Sequence, residues 1–60
     1  MHVRVLYTVP EAMELLNLSR TTIYALIRTG RLRTVREGRS RLVPAAAVDA
    51  YVALLMDEAA

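Results

Sequence analysis

The sequence places only three residues, Asn17-Leu18-Ser19, between two short segments that have helical patterns. Asparagine readily takes the left-handed conformation that closes a helix, and serine is a preferred N-cap for the next helix. Because so short a connection keeps two helices close together, this turn predicts a helix-turn-helix arrangement.

The boundaries of both helices carry recognisable signals. Thr8 is followed by Pro10 and by Glu11 three residues later, a combination that marks a helix start. We predict the first helix over residues 9–16 and the second from residue 20 to about 29, where Gly30 ends it. The inward positions at helical spacing are Ala12, Leu15 and Leu16, then Ile23, Leu26 and Ile27.

Short β segments flank this helix pair. Alternating apolar residues predict a first strand over residues 3–7. Residues 32–36 and 40–43 predict a β-hairpin in which Gly38 takes a positive φ. Because Glu-Gly is weak turn chemistry, we expect a three-residue loop with a bulge at the tip.

Pro44 and an apolar repeat define a last helix, which we predict over residues 45–57. Its inward face comprises Val48, Tyr51, Val52 and Leu55. The element order is that of a winged helix-turn-helix, a mainly α fold with a small β-hairpin, which we expect as a single domain over residues 1–60. With 60 residues and no cysteine, this domain must be held by packing alone.

The charges are unevenly distributed along the chain. Residues 20–41 contain seven arginines and one glutamate, whereas the remainder has one arginine and five acids. All eight cations of the chain are arginine, whose forked guanidinium suits phosphate or guanine, although a GC-rich genome also favours arginine codons. The basic segment therefore predicts a surface for an anionic partner.

The outward face of the second helix is suited to the major groove of duplex DNA. Ala25 permits close approach, and Thr21 offers a methyl and a hydroxyl group to base edges. Arg20 can fork onto guanine. Ser19 and Thr22 lie where the first-turn amides can meet a phosphate. Tyr24 and Arg28 are assigned mainly to phosphates, although the Tyr24 ring has the alternative of packing half-buried against the hairpin.

The hairpin supplies the remaining candidate DNA contacts around Gly38. Arg39 and Arg41 are expected at the minor groove, where a narrow groove strengthens the negative potential. Backbone contacts are expected from Arg31, Arg33 and Arg36.

Other functional classes find little support in the sequence. His2 has no second metal ligand, and neither Ser19 nor Ser40 has a base in register, so we expect no metal, no cofactor and no enzyme activity. No apolar run approaches the length of a membrane span, and we expect a cytoplasmic protein.

The run TVPEAMELLNLSRTTIYALIRTGRLRTVREGRSRLVPAAAVDAYV, residues 8–52, resembles the excisionase-type DNA-binding domains of the MerR-like winged-helix superfamily. The resemblance implies that the second helix reads the major groove and that the hairpin, as a wing, contacts the adjacent backbone or minor groove. One departure is Asn17, where the family often has glycine. Because the 60 residues include neither an effector domain nor a long dimerisation helix, we do not expect a ligand-sensing regulator of that superfamily.

Small members of this family resemble recombination directionality factors. The resemblance implies binding to repeats in an attachment site, DNA bending and bias of a cognate integrase toward excision, with self-association on DNA. It also implies a bacterial host, in which the protein is associated with the nucleoid. A small transcriptional regulator or antitoxin module would use the same surface, and a protein adaptor for an acidic partner is a third reading of the arginines.

Overall fold

A computed structural model describes residues 5–60 of the chain. The elements follow the predicted order and confirm the mainly α, winged helix-turn-helix fold. They are β1 (Leu6–Thr8), α1 (Val9–Leu16), α2 (Arg20–Arg28), β2 (Val35–Glu37), β3 (Ser40–Pro44) and α3 (Ala45–Ala59). The first strand ends one residue later than predicted, and positions 3 and 4 of that prediction lie outside the described residues.

Both N-caps of the helix pair form as the sequence predicts. Thr8 Oγ1 accepts a hydrogen bond from the Glu11 amide at 3.2 Å, and the Thr8 amide donates to Glu11 Oε1 at 2.8 Å. This reciprocal capping box satisfies two amides that a helix start otherwise leaves unpaired. At the second start, Ser19 Oγ accepts from the Thr22 amide at 3.3 Å.

Asn17 closes α1 in the left-handed conformation, with φ 55° and ψ 45°. Its amide donates to the Glu14 carbonyl at 3.3 Å, and the Leu18 amide donates to the Met13 carbonyl at 3.0 Å. The chain can therefore turn within three residues while the last carbonyls of α1 keep partners.

Replacing Asn17 tests this turn. We expect Asn17→Ala to lower the free energy of unfolding by up to about 1–2 kcal/mol, because alanine keeps the Cβ that disfavours the left-handed conformation and lacks the short polar side chain whose local hydrogen bonding makes that conformation accessible to asparagine. Asn17→Gly is the matched control and should retain the parent stability in urea denaturation. Equal losses in both variants would contradict the role assigned to the left-handed backbone.

The strands form an antiparallel sheet in the order β1-β3-β2. Tyr7 pairs with Val43, and Glu37 pairs with Ser40, so only Gly38 and Arg39 lie in the hairpin turn. The prediction of a three-residue loop with a bulge is therefore wrong. Gly38 has φ 61°, which supplies the positive φ that a two-residue turn needs at its first position and matches the twist of the strands.

One aliphatic core joins the helices to the sheet. Its buried members are Val9, Ala12, Ile23, Leu32, Val43, Val48 and Tyr51. Leu26 and Ile27 pack against this core half-buried. Leu15, Val52 and Leu55, which helical spacing predicted to face inward, are exposed. The apolar faces of α1 and α3 are therefore wider than the surface that the rest of this small fold covers.

Leu32 is fully buried although it belongs to neither strand. The sequence predicted the second strand from residue 32, but that strand begins at Val35. The amides of Arg31 and Leu32 both donate to the Leu26 carbonyl, at 2.9 and 3.1 Å. These bonds fold residues 29–34, the connector between α2 and β2, back onto the end of α2, and this turn carries Leu32 into the core.

The last helix begins directly after β3 and extends two residues beyond its predicted end. Pro44 precedes its first residue, and the Ala45 amide donates to the Val5 carbonyl at 2.7 Å, which joins the helix start to the residue just before β1. Among residues 5–60, no helix combines the length and the apolar character needed to cross a membrane.

Candidate nucleic-acid interface

A groove of about 540 Å³ lies between the starts of α1 and α2 and the β2-β3 hairpin. We call it the basic groove, because its lining includes four arginines together with Tyr24. The arginines are Arg20, Arg36, Arg39 and Arg41. No acidic side chain is among the lining residues within the described part of the chain. Such a concentration of guanidinium groups without carboxylates attracts polyanions.

The helix side of this surface consists of exposed residues of α2. Ser19, Arg20, Thr21, Thr22, Tyr24 and Arg28 are all exposed, as a recognition helix requires. Tyr24 is 42% exposed and lines the basic groove together with residues of the hairpin. Arg28 is exposed in the last turn of α2 and does not line the basic groove.

Hydrogen bonds at the start of α2 assign distinct roles to two hydroxyl groups. Ser19 Oγ donates to Thr22 Oγ1 at 3.0 Å and also accepts from the Thr22 amide. The Ser19 hydroxyl is therefore occupied as both donor and acceptor within the cap. The Thr22 hydroxyl accepts in this arrangement, and its own hydrogen can point toward an external oxygen.

The hairpin contributes three arginines from both strands and from the turn. Arg36 on β2 is directly opposite Arg41 on β3, and Arg39 occupies the second turn position after Gly38. Arg41 Nη1 donates to Thr34 Oγ1 at 3.0 Å. The sequence did not indicate Thr34 as part of the site, since it lies in the connector before β2 and only the tertiary fold brings it to Arg41.

Arg31 and Arg33, predicted with the wing, are not brought to the basic groove. Both line a separate cavity of about 680 Å³ between the connector and α3. Arg31 Nη1 and Nη2 donate to the two carboxylate oxygens of Glu58, at 3.0 and 2.7 Å. This contact links residues 27 positions apart, and no local pattern could have predicted it.

The arginines on the candidate interface are largely without internal partners. Within residues 5–60, the Arg31–Glu58 contact is the one ion pair between described side chains. Arg20, Arg36 and Arg39 make no side-chain hydrogen bond to a described residue. Their donors are consequently available to an anion in solution. No cluster of three or more potential metal-ligating side chains occurs in this part of the chain.

The ion pair shifts the protonation equilibria of both partners. The hydrogen bond from Arg31 lowers the pKa of Glu58 below its ordinary value of 4.5, with a smaller Coulombic contribution, while desolvation opposes the shift. The same hydrogen bond raises the pKa of Arg31.

We expect Glu58→Gln to be slightly less stable than the parent at neutral pH and to lose this difference in acid. A lowered folded-state pKa stabilises the protein above the unfolded-state pKa, and this contribution disappears as pH falls through the folded-state value. Thermal unfolding between about pH 7 and pH 3 measures the difference. In the Arg31→Ala background, Glu58→Gln should produce no such pH-dependent difference; a difference of the same size there would contradict the pairing.

Comparison with known proteins identifies relatives of this chain. The family described as "Helix-turn-helix domain" matches residues 6–53. The chain is 49% identical over 53 residues to a "Probable excisionase" of Saccharopolyspora erythraea, an alignment that covers 88% of this chain and 54% of the relative. It is 41% identical over 54 residues to an "Excisionase" of Streptomyces ambofaciens, with 90% and 87% covered. The chain thus spans about half the length of the first relative, and no solved structure matches it at a significant level.

Proposed function

Because the chain belongs to the excisionases of the helix-turn-helix domain family, we propose that it binds double-stranded DNA and acts as an excisionase. Membership of this family confirms the prediction that the chain is not an enzyme. The observation that carries the proposal is the basic groove, which joins the exposed face of α2 to the hairpin without an acidic residue in its lining.

The proposed mode of binding places α2 in the major groove. Arg20, in the first turn, forks onto guanine, and Thr21 presents a methyl and a hydroxyl group to base edges. Thr22 donates to a phosphate near the helix N-terminus, where the helix dipole also favours an anion. Tyr24 and Arg28 contact the phosphate backbone further along the helix.

The hairpin serves as the wing in this proposal. Arg39 lies in the turn next to Gly38, so it is the hairpin arginine that extends farthest from the sheet and enters the minor groove. Arg36 and Arg41 approach the adjoining backbone. Arg33, which lines the other cavity, makes at most a peripheral contact, and Arg31 stays with Glu58.

The proposed biological role is to direct a cognate integrase toward excision of a phage or other mobile element. Several copies would bind repeats of the attachment site and bend the DNA, at a cost of about 1–6 kcal/mol that the added contacts offset. The exposed outer side of α3, which includes Ala46, Ala50 and Met56, is available to a neighbouring copy or to the integrase. This activity belongs to the bacterial cytoplasm, at the nucleoid.

DNA binding by alanine variants tests the first part of the proposal. We expect Arg20→Ala and Arg39→Ala to weaken binding to attachment-region duplex by about 5- to 150-fold each, as loss of a groove contact of 1–3 kcal/mol would. Arg31→Ala is a matched control and should change DNA affinity by less than about threefold, because the Arg31 guanidinium is held by Glu58 in the parent protein. Fluorescence anisotropy measures all three variants, and footprinting locates the site and its repeat spacing.

The outcomes separate the competing functions. Parent-like DNA affinity in both Arg20→Ala and Arg39→Ala would contradict the interface and favour an adaptor for an acidic protein. An excision assay with the cognate integrase then tests the biological role. If excision product forms equally well without this protein although the protein binds DNA, the proposed role in recombination is wrong. Transcriptional control at a promoter is then the favoured function.

A further inference from the structure

Two arginines oppose each other across the hairpin with no acid between them. Arg36 and Arg41 are paired in register, and side chains at such positions start about 4.5–5.5 Å apart at Cβ. Like charges directly opposite each other destabilise a strand pair. Glu37, the acid of the hairpin, is the next residue along β2, so its side chain leaves the opposite face of the hairpin. The repulsion within this pair is therefore not relieved from within the hairpin.

Thr34 holds one of the two guanidinium groups. Its Oγ1 accepts from Arg41 Nη1 at 3.0 Å, and both residues are half-buried. Arginine carries five N–H donors, so this bond uses one and leaves the others available while it restricts the side chain. Arg36, in contrast, is exposed and has no side-chain hydrogen bond to a described residue. One member of the pair is fixed and the other is free to adjust.

We propose that Arg36 and Arg41 clamp a single phosphate group between them, and that Thr34 is the positioning residue that holds Arg41 for this contact. The inference rests on the proposed function and narrows the backbone contacts of Arg36 and Arg41 to one shared phosphate, whereas the sequence alone had suggested the minor groove for Arg41. A phosphate offers oxygens to two forked donors at once, and its charge removes the repulsion between the two guanidinium groups. The clamp would set the register of the wing on the DNA backbone.

Substitution of Thr34 tests the clamp on duplex DNA. Thr34→Val keeps the shape of the side chain and removes the acceptor, and we expect about fivefold weaker binding, the effect of one ordinary hydrogen bond lost. Thr34→Ser, which keeps the hydroxyl, should bind within about twofold of the parent. Thr29→Val is the matched control, because the Thr29 hydroxyl bonds to helix carbonyls and lies outside the basic groove.

A double-mutant cycle with Arg41→Ala distinguishes positioning from a general effect on folding. If Thr34 acts through Arg41, Thr34→Val should cause no further loss of DNA affinity in the Arg41→Ala background. Parent-like affinity of Thr34→Val, or an equal loss in both backgrounds, would overturn the positioning role. Thermal unfolding of each variant is recorded alongside, and the cycle is read from variants that remain folded at the assay temperature.

Titration with inorganic phosphate tests the clamp without DNA. The Nε–H resonances of Arg36 and Arg41 should shift together with one dissociation constant, and Thr34→Val should weaken both responses. Separate constants, or a response from only one of the two, would overturn the shared site. If both arginines respond to phosphate but the protein does not bind duplex DNA, the proposed function is wrong and the clamp stands. If the protein binds duplex DNA but Thr34→Val does not change its affinity, the clamp is wrong and the proposed function stands.

Discussion

Raising the salt concentration from 50 to 200 mM should weaken binding of this protein to duplex DNA by about 250- to 1,000-fold. Each arginine charge that is brought against the duplex displaces condensed counterions, and about five such charges, whether they contact a phosphate or lie in a groove, give a slope near −4 to −5 in a plot of log K against log salt. The basic groove supplies Arg20, Arg36, Arg39 and Arg41, and Arg28 extends the same surface along α2. Fluorescence anisotropy across the salt range measures the slope.

Single variants show which arginines contribute to this dependence. Arg36→Ala should make the slope shallower by about one, since it removes one arginine charge from the interface. Arg31→Ala should leave the slope nearly unchanged, because Arg31 is bound to Glu58 on the other side of the connector. A nearly flat dependence for the parent would contradict an interface built on phosphate contacts.

Leu32→Ala should have the largest effect on stability of any substitution considered. Leu32 is fully buried among the helices and the sheet, and removal of its side chain leaves a cavity that costs about 2–5 kcal/mol. The whole free energy of unfolding of a 60-residue domain is about 3–9 kcal/mol on a per-residue basis. We therefore expect the midpoint of thermal unfolding to fall by at least about 10 °C, as circular dichroism would measure.

Leu15→Ala is the matched control for this experiment. It makes the same chemical change at a residue that is 48% exposed, so the loss of buried apolar surface is small and the destabilisation should stay below about 1 kcal/mol. Equal losses at the two positions would contradict the core described for this fold. The comparison also tests a position where helical spacing alone predicted burial and the fold does not provide it.

The fold brings together some of the residues that the sequence proposed for the site and separates others. Arg20 and Tyr24 were assigned from helical periodicity, and Arg36, Arg39 and Arg41 from the hairpin pattern; the fold places all five around one groove. Arg31 lies in the same basic segment, residues 20–41, but its guanidinium is held by Glu58 near the C-terminal end of α3. Thr34 was missed because nothing near it in sequence indicates that Arg41 becomes its partner across the hairpin.

Local interactions account for what the sequence determined by itself. Four features depend only on residues within a few positions: the capping box at Thr8, the left-handed conformation of Asn17, the Ser19 cap and the positive φ of Gly38. The helix boundaries and the position of the hairpin could therefore be derived from the sequence. The tertiary structure alone decided three matters: that β3 lies between β1 and β2, that Leu32 enters the core, and that Arg31 is withdrawn from the basic groove. These outcomes depend on contacts between distant residues, because strand order, burial and ion pairing are set by which surfaces meet once the whole chain is packed.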